Sequence, residues 1–197
     1  MRFARFVVAA SSALALLGLL VGAPACSDPT PPIAQGAWSV SLIQPDSNCM
    51  IAPHNGSVGS VSANTKEKLI VNAVDGAEIV CSVIASGNNT FSVNAKAVYN
   101  GAALYFLIDA ITPAARQATP AAGRASFVTQ KTVNAYQSPT DTPCNFYFIP
   151  NTPQGVAAGK IWVAFDCPKV EAEMSICGLD AGYAIFENCA QTATSGG

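Results

Sequence analysis

"AEIVCSVIASGNNTFSVNAKAVYNGAALYFLIDAI", residues 77–111, decides the fold. Its middle alternates Phe91, Val93, Ala95, Ala97 and Tyr99 with Ser92, Asn94 and Lys96. A period of two places the first set on one face of a half-buried strand. The flanking runs, 77–85 and 102–111, are apolar on both faces, as central strands or strands under a loop are. Gly87-Asn88-Asn89 and Asn100-Gly101 separate the three runs, and these residues accept the positive φ that tight hairpins require. The stretch therefore predicts a three-strand antiparallel meander.

Outward from this meander the same signals recur. Trp38, Val40 and Leu42 alternate with Ser39 and Ser41 in 37–43. Further strands are expected at 123–136, 144–149, 160–167 and 182–189, with a weaker one at 68–74. Proline marks loops at 112–123, 137–143 and 150–155. Residues 168–178, "PKVEAEMSICG", are expected to hold one helical turn ending near Gly178. Many short strands with turns between them predict an all-β fold, an antiparallel β-sandwich or jelly-roll-like domain over 37–190.

Seven cysteines bear on how that domain is held together: Cys26, Cys49, Cys81, Cys144, Cys167, Cys177 and Cys189. Placing Cys144 opposite Cys167 in a hairpin centres the pairing between Gly155 and Val156, inside the loop expected between those strands. The same register sets Phe146 against Phe165 and Phe148 against Val163 on the cysteine face, which should be core. The other face then carries Tyr147 opposite Ala164, and Ile149 opposite Trp162. Cys177 and Cys189 are expected to pair across the last turn, leaving Cys49 with Cys81. The alternative ties Cys49 to the C-terminal pair. Six cysteines allow about 15 connectivities, so spacing alone leaves this open.

The N-terminus explains the seventh. Arg2 and Arg5 precede an uncharged apolar run, Phe6–Val21, and Ala23-Pro24-Ala25 follows. A run of 16 residues is short for a membrane span, and the three-part order is that of a secretory signal over 1–25. Its removal leaves 8 basic and 12 acidic residues, a net charge of −4. "VGAPAC" (21–26) resembles the lipobox of bacterial lipoproteins, departing from the commonest pattern at Ala23-Pro24. The resemblance implies cleavage before Cys26, lipid on its thiol, and anchoring in a membrane of the cell envelope. With Ser27 next, that membrane would be the outer one where the cell has two. Lipid on Cys26 would leave six cysteines, an even set for three disulfides. The rival is ordinary cleavage after Ala25 and a secreted product. Residues 26–36 are rich in proline and read as a spacer; 191–197 read as a flexible tail.

Catalytic patterns are sparse. His54, in "APHNGS", is the only histidine, so a Ser/His or Cys/His hydrolase would have to use it. A loop histidine with ordinary hydrogen bonds is the commoner case. No metal-ligand spacing, phosphate loop or nucleotide motif occurs, so no cofactor, metal or catalytic residue is assigned. Only 11% of residues are charged and the basic ones are scattered, which removes the electrostatic footprint of nucleic-acid binding. The feature with a functional flavour is aromatic. Trp162 and Tyr147, with Tyr99 and Tyr105, could form a ligand platform on one sheet face, of the kind that stacks sugar rings; packing under loops is the plainer reading. The expectation is an extracytoplasmic, membrane-anchored, non-enzymatic protein with a binding or structural role. Its partners would be the membrane and a glycan or envelope protein.

Overall fold

The computed structural model describes residues 32–192; the signal segment, Cys26, most of the spacer and the last residues of the tail lie outside the described residues. The described chain forms only strands, turns and loops. In chain order these are β1 (Gln35–Ile43), β2 (His54–Val58), β3 (Ser60–Val61), β4 (Lys66–Lys68), β5 (Ile70–Val71), β6 (Glu78–Ala85) and β7 (Phe91–Tyr99). Then come β8 (Ala102–Ile111), β9 (Ala121–Val128), β10 (Tyr136–Gln137), β11 (Cys144–Tyr147), β12 (Gly155–Ala157), β13 (Lys160–Ala172) and β14 (Ser175–Glu187). Every strand pair between them is antiparallel.

The meander forms as expected. Val83 faces Val93 across β6–β7, and Ala97 faces Leu104 across β7–β8. Asn100 and Gly101 take φ of 49° and 73°, the paired positive values that a two-residue hairpin turn needs to match strand twist. From β6 the order runs β7, β8, β9, β10, β13, β14, β1, β2, with β11 joining β9 to β13. The hydrogen-bonded path makes one 12-stranded sheet, and β3–β4 form a separate two-stranded flap.

Two wings of this sheet meet face to face over one core, an arrangement consistent with the expected sandwich. Trp38 of β1 sends its indole N–H to the Ala97 carbonyl of β7, 3.3 Å away. Phe106 of β8 lies edge-on to Phe186 of β14 and tilted against Phe146 of β11, at centroid separations of 5.6 and 5.3 Å. Aromatic pairs at these distances add attraction beyond the area they bury.

The free edge of β6 is covered from the far end of the chain. Val83 N–H donates to Ala190 O, and Ala190 N–H donates to Cys81 O. Gly159 N–H donates to Val83 O. These bonds satisfy backbone groups that an open edge would offer to other chains.

Three disulfides staple this arrangement: Cys144–Cys167, Cys49–Cys177 and Cys81–Cys189. The first is the predicted pair, and β11–β13 keep the predicted register at Phe146–Phe165 and Tyr147–Ala164. The expected pairing of Ile149 opposite Trp162 does not form, because β11 ends at Tyr147. Trp162 instead faces Gly155 on the short strand β12, which occupies part of the expected loop. Cys177 does not pair with Cys189, and Cys49 does not pair with Cys81. The cause is β14, a single extended strand where a helical turn and a second strand are expected. From Cys177 to the end of β14 at Glu187 the strand spans roughly 30 Å before Asn188 turns at φ 58° into Cys189, which puts the two cysteines far beyond disulfide reach. The helical turn is replaced by the continuation of β13 to Ala172, with Glu173 turning at φ 51° into β14. Each long staple thus ties a distant part of the chain to one end of β14, as the alternative for Cys49 anticipates.

Candidate functional site

The outward face of the β2–β1–β14–β13–β11 wing has a dry half and an open half. On the dry half Ala37, Ile185 and Trp162 pack with Val61 and Leu69 of the flap region, and the half-buried Tyr183 packs against the edge of this cluster where the open half begins. Trp162 is only 4% exposed, and its indole N–H donates to Ser62 O at 3.2 Å. The proposed aromatic platform therefore loses Trp162 as an accessible ring, because the flap of β3 and β4 covers it. Sequence could not reveal this: the flap strands are two and three residues long and carry no periodicity.

Tyr147 is placed on the open half, with a partner that sequence reading does not single out. Register pairs Ser57 with Ser39, Ser39 with Tyr183, Tyr183 with Ala164, and Ala164 with Tyr147. These five residues form one straight row across five strands. Ala164, between the two tyrosines, is 1% exposed although it points outward, so its neighbours close over it. Both tyrosines are half-buried. Burial raises the Tyr147 pKa above its usual 10.0, and the nearby charges of Asp166, Tyr183 and Asp180 raise it further.

A second polar row runs beside the first. Ser41 opposes both Asn55 and Asp180, and its hydroxyl donates to Asn55 Oδ1 at 2.9 Å. Asn145 opposes Asp166 and donates to Asp166 Oδ2 at 2.8 Å. Asp180 stands on a bulge. Between Ser39 and Ser41, and again between Phe165 and Cys167, β14 carries an extra residue, and Ala181 takes φ 49° there. Bulges re-aim side chains and are enriched beside functional sites. Gly182 makes this bulge possible, since a Cβ there would lie 2.6 Å from the Phe165 ring. Between the bulge and the flap lies a cleft of about 320 Å³, floored by Ser39, Ser41 and Tyr183 and walled by Ser62 and Ala181.

Against this geometry the comparisons are silent. No protein-family model, curated protein or solved structure matches the chain. Function rests on the site itself.

His54 is not in this cleft. It begins β2, points into the core and is 8% exposed. Its Nδ1 lies 2.9 Å from the Ala52 carbonyl, which only accepts, so Nδ1 carries the proton. Nε2 then accepts from the Thr129 hydroxyl, also at 2.9 Å. Thr129 Oγ1 in turn accepts from Lys131 N–H in the turn after β9. A hydroxyl on an imidazole is the geometry of a nucleophile and its base. Here, however, no carboxylate orients the ring, and the same bonds satisfy a buried histidine and lock a turn. Tyr99 is half-buried, its ring packed against the core, and Tyr105 lies on β8 outside the tyrosine row.

One further surface feature is apolar. Met50, Val133 and Met174, the middle one 97% exposed, surround a cleft of about 320 Å³ beside the Cys49–Cys177 bridge. Tyr136 and Ser175 at its floor already bond each other at 2.9 Å.

Proposed function

We propose that this protein is exported, is held at an envelope membrane by lipid on Cys26, and acts there through a non-enzymatic β domain that binds. The observation carrying the reading is the cysteine arrangement. The six cysteines from Cys49 onward bridge among themselves, so the odd cysteine of the sequence is Cys26, at the end of the signal-like segment. Disulfides of this number belong to oxidising compartments. A lipid thioether on Cys26 leaves no unpaired thiol to explain, and multiple acyl chains, at about 0.8 kcal/mol per buried CH₂, would hold the domain firmly.

Intact mass of the protein from its native cell, with membrane fractionation, tests this. Cleavage before Cys26 with added acyl mass and three disulfides is the expected result. Cys26→Ser should move the protein from the membrane to the soluble extracytoplasmic fraction. An unmodified Cys26 in a soluble wild-type product removes the anchor, and a reduced domain removes export.

A further inference from the structure

We propose that the open half of the outer sheet face binds a neutral oligosaccharide, with Tyr183 and Tyr147 as its two stacking rings. The inference rests on the reading that this domain binds, and not on the lipid anchor. It replaces Trp162, which the flap covers, with Tyr183, which the register places in line with Tyr147.

Three properties of the strip select this ligand chemistry. The first is shape. Tyr183 and Tyr147 sit two strands apart with the small Ala164 between them. Two strand spacings are about 10 Å, enough for consecutive sugar rings on a flat floor. The C–H face of a pyranose suits the negative face of a phenol ring. The second is hydrogen-bonding capacity. Beside the tyrosines runs one polar row, with Asn55 and Ser41 at one end and Asp180, Asp166 and Asn145 at the other. Hydroxyls and carboxamides both donate and accept, and carboxylates accept strongly, which matches vicinal hydroxyls that do both. The third is charge. The groups that act on Tyr147 are carboxylates and a phenol, without a cation among them, so an anionic ligand is disfavoured. A metal is not favoured either: among the described residues, no three His, Cys, Asp or Glu side chains come together as a cation site.

The two rows are more organised than an ordinary solvated face requires. Asn145 and Asp166 hold each other in place, as do Ser41 and Asn55, so both ends of the polar row are set before a ligand arrives. Preorganised polar groups lose less freedom on binding. The bulge adds Asp180 to the polar row at a position regular pairing would not supply.

Calorimetric titration of the exported full chain carrying Cys26→Ser with cellohexaose, chitohexaose and mannohexaose tests the proposal. Binding of at least one is expected, weakened about tenfold or more by Tyr183→Ala and by Tyr147→Ala. Tyr105→Ala, on β8 outside the tyrosine row, should bind like the parent. Asp166→Asn should weaken binding while leaving the thermal midpoint within a few degrees, which separates loss of a ligand contact from loss of fold. Absence of binding to all three sugars overturns the proposal, as does binding that survives both alanine variants. Tight binding of calcium chloride or tetramethylammonium without any sugar also overturns it, pointing to the carboxylates as a cation site. Because the Cys26→Ser chain is soluble by design, any of these failures leaves the anchor reading to its own fractionation test.

Discussion

Phe146 lies directly opposite Phe165, their rings stacked at 5.6 Å with 23° between planes, one step from the Cys144–Cys167 bridge. Both rings are fully buried and both approach Phe106 from the opposite wing. This trio joins the disulfide-stapled strands to the meander. Phe146→Ala should therefore destabilise by about 3–5 kcal/mol, the usual result of emptying a close-packed aromatic site. Urea unfolding measures it; a loss below about 1 kcal/mol would mean the two wings are not packed through this ring.

Gly123 faces Cys144 at the same junction. A Cβ there would stand 2.7 Å from the Leu107 carbonyl and 2.7 Å from the Phe146 ring. Gly123→Ala should cost about 1–3 kcal/mol by overpacking. Gly87→Ala, where a Cβ meets open space but φ is 87°, should instead cost through backbone strain alone. Combining Gly123→Ala with Phe146→Leu should recover part of the first loss, a coupling that paired denaturation curves can read.

Removing Cys81–Cys189 as a double alanine variant should lower stability by about 2–5 kcal/mol. The effect should be local as well. Hydrogen exchange at Val83 and Ala190 should speed up more than at Val163, because those amides belong to the edge that the bridge pins. Non-reducing peptide mapping should recover the 49–177, 81–189 and 144–167 pairs; a 177–189 peptide would refute the extended β14.

Glu187 ties the flap down. It accepts from Lys66 of β4 at 2.6 Å and from Lys160 of β13 at 3.0 Å. Burial pushes its pKa up, but the bonds from Lys66 and Lys160 outweigh this and hold it below the usual 4.5. A carboxyl depressed in the folded state adds stability above its unfolded pKa and loses it as pH falls through the folded value. Glu187→Gln should thus weaken the flap at neutral pH and have little effect in strong acid. With half-exposed lysines the contribution is under about 1 kcal/mol. Acrylamide quenching of Trp162 reads flap opening: quenching should rise in Glu187→Gln at pH 7, and the difference from wild type should shrink as pH falls through the depressed folded pKa of Glu187.

His54→Ala removes two hydrogen bonds and leaves the Thr129 hydroxyl without its acceptor, so a loss of about 1–3 kcal/mol is expected. His54→Gln, which can accept at a similar reach, should recover part of it. Hydrolysis of ester or glycoside probes that His54→Ala abolished in a still folded protein would restore the catalytic reading of this pair.

Local chemistry made much of this protein legible from its residues alone. Period-two alternation marks β1 and β7, and the Asn-Gly turn sets the β7–β8 register, because side-chain direction and turn φ are properties of adjacent residues. The β11–β13 register and its disulfide follow from pairing two strands close in sequence, a short-range relation, although β12 occupies the expected turn between them. His54, by contrast, reads as a loop residue but begins β2, since "HNGSV" has too few apolar side chains to signal a strand. Its burial comes from Phe127 and Thr129, about 75 residues away. Only the tertiary structure decided the two long disulfides, the covering of Trp162 and the alignment of Tyr183 with Tyr147. Each depends on which distant strands become neighbours, and hydrophobic burial, being non-directional, encodes that choice in the whole core and in no single stretch.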